Sequence, residues 1–382
     1  MSVEKITRGA GPVWRVRWRE GGRNRSRTFD TRRDAKQWDA EVRRRQQLGT
    51  LHLLDAGRES LDGYVAGTWA PTYAGQLAVK TRRHYVSLYD HHLSPFLGSL
   101  PLRSINAETV ARWQADRLAQ DTGPVAVRHA LELLGSIMQR AFEAERVPTN
   151  PVRQVRKAPR PRQEEVRPVA PAQVEAMRAF LLASGSENPH RDACLVSVLA
   201  YAGLRPGEAL GLRWADVGEK TILVQRSISV GEEVDTKTRA HRSVRLLAPL
   251  RADLPTWRLA AGHPPDSALV FPAADGGPWS EAAYQSWRRR AFARALTAAG
   301  IDAARPYDLR HSFASLLLHE GRNVIYVARQ LGHDARLTLS RYGHVMEALE
   351  DAPMQPAEDA IRVAREAAVP LSYLTAATAP AS

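Results

Sequence analysis

The side chains with most to offer chemically lie in the last third of the chain. They are Arg310-His311-Ser312, then Leu331-Gly332-His333, then Tyr342. Far upstream, Arg205 sits in Gly203-Leu204-Arg205-Pro206-Gly207-Glu208, and between the two regions Lys237 lies in Thr236-Lys237-Thr238-Arg239. Cutting a phosphodiester without a metal needs an in-line nucleophile, fixed positive charge on the non-bridging oxygens, and an acid for the departing 5′ oxygen. Arg205 and Arg310, each expected at a helix start, offer two forks that hold a phosphate and stay charged at any relevant pH. Lys237 is one of only six lysines among 54 basic residues, and an ammonium can give up a proton where a guanidinium cannot. His333 can donate to a phosphate oxygen. The phenol of Tyr342, with a pKa of about 10 in water, becomes a nucleophile only beside concentrated positive charge. Taken singly, each has a plainer reading: a loop-capping arginine, a solvated turn lysine, a packing tyrosine. The order Arg, Lys, Arg, Gly-His, Tyr is what points to chemistry on a phosphate.

The elements that must position these residues are mostly helical. An apolar helix over 194–203 precedes Arg205, and Pro206 is well placed to open the next helix. Two β-rich runs, 221–230 and 243–247, put Lys237 at a hairpin tip. Arg310 stands just before the helix of Phe313, Ala314, Leu316 and Leu317, and Gly332 ends that of Val324, Ile325, Val327 and Ala328. Upstream, residues 58–158 read as all-helical. Val127, Ala130, Leu131, Leu134, Met138, Ala141 and Phe142 form one core stripe, Tyr85, Leu88, Tyr89 and Leu93 a second, and Asn106 caps a helix carrying Val110 and Trp113. At the N-terminus Trp14, Val16 and Trp18 alternate with Arg15, Arg17 and Arg19. After a Gly21-Gly22 turn, Arg23, Arg25 and Arg27 repeat the pattern, and a helix over 34–47 covers the aromatic face. A small sheet whose free face is a row of guanidinium groups from both strands suits a nucleic-acid groove, against the plain alternative of a solvated face. A basic, proline-containing stretch over 153–167 marks a domain boundary. The expectation is a mainly α chain with small β elements (α+β). Its expected parts are an arm-type domain over 1–55, a helical core-binding domain over 58–158, a catalytic domain over 165–350, and a C-terminal helix and tail over 351–382.

Bulk properties narrow the function classes. A formal net charge of +13 over 382 residues, with a pI near 10.2, points to a polyanionic partner. Cys194 is the only cysteine, so neither an internal disulfide nor a thiolate zinc cluster can form, and its apolar neighbours mark it as core. No Gly-x-x-x-x-Gly-Lys loop speaks for an ATP motor, and the acidic pairs Glu164-Glu165 and Glu232-Glu233 lack a third acid for a two-metal nuclease. With no apolar stretch of about 18 residues and no signal peptide, a cytoplasmic protein is expected.

At these residues the chain resembles the tyrosine recombinases, the phage integrase family. Ala202-Gly203-Leu204-Arg205-Pro206-Gly207-Glu208 is similar to that family's first arginine box. Asp308-Leu309-Arg310-His311-Ser312-Phe313-Ala314-Ser315, Leu331-Gly332-His333 and Arg341-Tyr342-Gly343-His344 resemble its second box and nucleophile segment, and Thr236-Lys237-Thr238 its β-hairpin lysine. The resemblance covers about 168 to 345. It implies a catalytic set of Arg205, Lys237, Arg310, His333 and Tyr342, a 3′-phosphotyrosine intermediate, and no cofactor, metal or ATP. Implied partners are double-stranded attachment sites, three further copies of the chain on DNA, and a DNA-bending accessory protein. Arg15, Arg17, Arg19 and Tyr307 are the expected DNA contacts. One departure stands out: three residues before its second arginine the family usually has histidine, where this chain has Tyr307. A tyrosine can donate to a phosphate but is no base near neutral pH. Either the role at this position is reduced to positioning or another group takes the proton; His311, beside Arg310, is a candidate, with orienting the site as its plainer reading. Two other readings stay open, a non-catalytic DNA-binding regulatory or architectural protein on this fold, and a relaxing topoisomerase of type IB kind.

Overall fold

A computed structural model describes residues 3–8, 11–120, 122–158, 168–229, 231–235, 241–347 and 353–368. The chain divides into two compact units, Met1–Gln163 and Glu164–Ser382.

The first unit opens with three antiparallel strands, β1 (Val3–Arg8), β2 (Gly11–Glu20) and β3 (Arg23–Phe29), followed by α1 (Arg32–Gln47). Gly21 and Gly22, both at positive φ, make the tight turn that β2 and β3 need to stay paired. Thr31 caps α1 by accepting the Asp34 N–H at 3.1 Å. Val16, Trp18, Ala35, Val42 and Leu54 form this part's core. The register corrects one expectation. Residues directly opposite in an antiparallel pair share a face. Arg15, Arg17 and Arg19 stand opposite Thr28, Ser26 and Asn24, whereas Arg25 and Arg27 stand opposite Trp18 and Val16. The arginines of the two strands therefore point to opposite sides. Those of β3 border the aromatic side, where Arg27 lies 4.4 Å from the Trp38 ring.

Helices α2 (Val79–Leu88), α3 (Ala107–Ala119) and α4 (Pro124–Glu143) belong to a second core in the same unit. Leu131, Leu134 and Met138 are fully buried, and Asn106 caps α3 by accepting from Thr109 N at 2.9 Å. Phe142 departs from its expected stripe, being 43% exposed at the end of α4. Arg128 is tied to the Ala158 carbonyl and to Glu132.

In the second unit α5 (Pro171–Ala183) and α6 (Pro189–Tyr201) pack together, with Cys194 inside. The short α7 (Pro206–Leu210) leads to four strands, β4 (Thr221–Val224), β5 (Arg226–Ser229), β6 (Glu232–Asp235) and β7 (Arg242–Arg245). They pair as β4 with β7 and β5 with β6, so the first β-rich run is two strands broken at Gln225. Lys237 falls between β6 and β7, outside the described residues. Helices α8 (Ala248–Ala260), α9 (Leu309–His319), α10 (Val324–Leu331), α11 (Ala335–Glu347) and α12 (Ala357–Ala368) complete the frame relevant to the site. Helix α12 is held by its own unit: Ala357, Ile361 and Ala364 are buried, and Arg365 pairs with Glu175 and Asp253 at 3.0 Å each. Among the described residues no helix is long and apolar enough to cross a membrane.

Candidate active site

The site forms where the turn after α6, the edge of β7, the first turn of α9 and the end of α10 meet. Gly203, at φ +60, turns the chain tightly under Phe313, whose ring carbon would lie 2.5 Å from an added Cβ. Pro206 then opens α7, and Glu208 reaches back to accept the Arg205 N–H at 2.8 Å. The anion at this helix start is therefore the chain's own. Around the Glu208 carboxylate stand three guanidinium groups. Arg205 is 2.6 Å from Oε1, Arg242 holds both oxygens at 2.9 and 2.6 Å, and Arg310 is 4.0 Å from Oε2.

The same three arginines cap the end of α10. Arg242 donates to the Gln330 carbonyl at 3.0 Å, Arg310 to the Leu331 carbonyl, and Arg205 to the Gly332 carbonyl at 3.1 Å. A helix leaves its last carbonyls unpaired and carries partial negative charge there, so three consecutive carbonyls make a natural seat for cations. Gly332 makes the seat possible: its φ is +64, and an added Cβ would sit 2.8 Å from Arg242 Cδ. One carboxylate cannot balance three guanidinium groups, so the cluster keeps a surplus of positive charge. Burial works to raise the Glu208 carboxyl, but the hydrogen bonds and charge of Arg242, with help from Arg205, hold it at about 2. Burial, with the repulsion of Arg205 and Arg242, lowers Arg310 to about 10, which still leaves it charged at neutral pH.

Arg310 is not at the mouth of a helix as expected but in the first turn of α9, 1% exposed, with a second bond of 2.6 Å to the Gly203 carbonyl. His333 follows Gly332, half-buried, its Nδ1 3.1 Å from the Thr338 hydroxyl. Burial and the charges of Arg310 and Arg205 bring it down to about 4, so its ring is neutral near pH 7. Tyr342, on α11, is 1% exposed, and its Oη lies 2.5 Å from His311 Nδ1. Burial pushes this phenol up from its ordinary value more strongly than Arg310 brings it down. In this conformation desolvation outweighs the charge of Arg310 and Arg341. Tyr307 is half-buried with its ring edge-on to His311, the centroids 5.7 Å apart.

Sequence reasoning missed Arg242 and gave Glu208 no role. The Arg-x-x-Glu spacing of Arg205 and Glu208, that of a helix cap, was the available signal for the acid; no spacing joined Arg242 to it. In the N-terminal sheet Arg15 pairs with Glu4 at 2.9 Å, Arg17 lies 3.6 Å from the same carboxylate, and Arg19 donates to the Gly22 carbonyl at 3.4 Å. The outer face is thus a partly neutralised row.

Residues 169–348 match the model of the phage integrase family. An integrase of Streptomyces ambofaciens is 31% identical over 278 residues, covering 66% of this chain and 68% of that protein. The chain belongs to the phage integrase family of tyrosine recombinases. A putative prophage phiRv2 integrase of Mycobacterium tuberculosis is 28% identical over 332 residues, covering 83% and 84% of the two chains. Among solved structures, a lambda integrase tetramer bound to a Holliday junction superposes with a TM-score of 0.58 at 15% identity, over 86% of this chain and 95% of that one. The mainly α, α+β architecture is that of the family. As a site-specific tyrosine recombinase the chain belongs with enzymes that cut and rejoin DNA, and a phage or mobile-element role fits its relatives.

Proposed function

We propose that Tyr342 attacks the scissile phosphate of a duplex attachment site, forming a 3′-phosphotyrosine and freeing a 5′ hydroxyl. Arg205 and Arg310 hold the non-bridging oxygens, His333 donates to one of them, and Lys237 protonates the leaving 5′ oxygen. Arg242 and Glu208 position the clamp. The observation that carries this reading is the cluster of three guanidinium groups around one carboxylate beside His333 and within electrostatic reach of Tyr342. Its surplus charge suits a phosphate diester. The phosphotyrosine bond conserves the energy of the broken diester, so religation needs neither ATP nor an added metal. Because Tyr342 is 1% exposed here, α11 must shift to bring the phenol to the phosphorus.

In this reading residues 1–55 engage arm sites through Arg15, Arg17 and Arg19, residues 58–158 grip the core site, and 165–350 carry the chemistry with Tyr307 beside the DNA. Four copies exchange strands, as the tetrameric lambda integrase on a Holliday junction suggests, with a DNA-bending accessory protein assisting. The test is incubation of the full chain with a nicked duplex covering the site found by footprinting the DNA that flanks its gene. The expected result is a covalent protein–DNA adduct, lost in Tyr342→Phe. No adduct overturns the reading in favour of a DNA-binding protein. Relaxation of supercoils without exchange between two sites overturns it in favour of a topoisomerase.

A further inference from the structure

The proton of Tyr342 has no assigned destination in the scheme above, because the position three residues before Arg310 holds Tyr307. A phenol in that place is too weak a base near neutral pH to take it. Resting on the phosphotyrosine reading, we propose that His311 is a catalytic residue: its Nδ1 keeps its hydrogen bond to Tyr342 through the shift of α11 and accepts the phenolic proton as the phenol reaches phosphorus.

Geometry carries the proposal. His311 Nδ1 and Tyr342 Oη are 2.5 Å apart, inside the reach a general base needs. His311 is the residue after Arg310 on α9, so the base and one arm of the phosphate clamp ride on one rigid element. Tyr307 packs edge-on against the imidazole at 78°. The charged groups that act on the ring are Asp308, which favours its protonation, and Arg341, Arg310 and Arg305, which oppose it. Asp308 is itself engaged by Arg305 through bonds of 2.8 to 3.1 Å. Burial, the largest influence, and the three arginines together bring His311 to about 4. The ring is therefore neutral at neutral pH, with its own hydrogen on Nε2 when the phenol donates to Nδ1, and it takes the proton only as the Oη–P bond forms and the phenol becomes acidic.

The step balances. The Tyr342 O–H bond breaks and its proton passes to Nδ1; the Oη–P bond forms as the P–O5′ bond breaks; the 5′ oxygen takes a proton from Lys237. On religation the imidazolium returns its proton to the departing phenolate and the 5′ hydroxyl gives one back to Lys237.

The test is single-turnover adduct formation by the full chain between about pH 6 and pH 9. Wild type is expected to give a nearly flat rate, since its base is already neutral. His311→Ala should be slower by roughly 10²- to 10⁴-fold and should quicken about tenfold per pH unit as the phenol ionises unaided. Added imidazole should restore part of the rate. His311→Asn, a polar replacement less disruptive to folding, should show the same slope. A substrate with sulfur at the bridging 5′ position needs no acid for its leaving group, so it should rescue Lys237→Ala and leave His311→Ala slow. A wild-type rate in either His311 variant, or a slow rate with the wild-type flat profile and no response to imidazole, overturns the proposal and leaves His311 a packing residue. Absence of adduct from the wild type overturns the phosphotyrosine reading as well, which separates the two failures.

Discussion

The chain uses arginine in two opposite ways, exposed on the small sheet and buried around one carboxylate. On β2 the arginines are peripheral: Arg17 is 57% exposed at its side chain, and its neighbour Glu4 is 46% exposed. Pairs of that kind contribute little to stability and are screened by salt. Around α10 the arginines are largely buried. Arg310 and Glu208 are both 1% exposed at their side chains; Arg205 and Arg242 are each fixed by a carbonyl and the carboxylate, and Arg310 by two carbonyls. Buried charges of this kind cannot be removed singly, because each is the partner of the others. A row of exposed arginines can be tuned one at a time; the pocket stands or falls as a unit.

The largest expected effect is at Glu208. Replacing it by Ala leaves three guanidinium groups without their shared counter-charge, and breaking a buried pair costs about 3–5 kcal/mol. Urea unfolding should register this, whereas Glu4→Ala on the exposed sheet should leave the urea midpoint nearly unchanged. Equal losses would erase the contrast. Gly332→Ala comes next. Its positive φ and the close Arg242 should cost about 1–3 kcal/mol and, by displacing the carbonyl that holds Arg205, should also slow cleavage. A variant with full activity would show the carbonyl seat to be dispensable.

Acid should separate the regions further. His311 and His333 sit at about 4 in the folded chain, below the unfolded value of about 6.5. Their contribution is whole above about pH 6.5 and is lost as pH falls toward about 4. Glu208, folded at about 2 against about 4.3 unfolded, contributes fully above about pH 4.5 and loses that contribution as pH falls toward about 2. Urea midpoints across these windows should decline in two stages, with His333→Ala weakening the first and Glu208→Gln the second. A single decline unchanged by either variant would place the acid-sensitive groups elsewhere. The smallest effects belong to the sheet. Arg27→Ala removes stacking on Trp38 worth about 0.5–1 kcal/mol and should leave the salt slope of DNA binding alone. Removing Arg15, Arg17 and Arg19 should do the reverse, leaving stability intact and flattening that slope by up to about three counterions. If Arg27→Ala changed the slope as much, the two faces would not differ in role.

The helical periodicities, the cap at Asn106, the glycine end of α10 and the order of the reactive residues were all legible as local patterns. A 3.6-residue repeat and a positive-φ stop depend on neighbours within a turn or two. The two-stranded arginine face was misjudged because alternation along one strand says nothing of its register against the next, and register assigned the β3 arginines to the aromatic side. Arg242 and Glu208 could not be joined on paper, since their pairing spans 34 positions and depends on β7 arriving beside α7. Nor could the state of Tyr342 be read from its letter. Composition and spacing determined by themselves that this is a basic, mainly helical chain bearing the side chains of phosphate chemistry. Only the tertiary structure decided which arginines share one carboxylate, that the phenol rests buried against His311 instead of exposed to a phosphate, and that desolvation there overrides the nearby positive charge. Burial and distance between remote segments set those energies, and neither is a property of any short stretch of sequence.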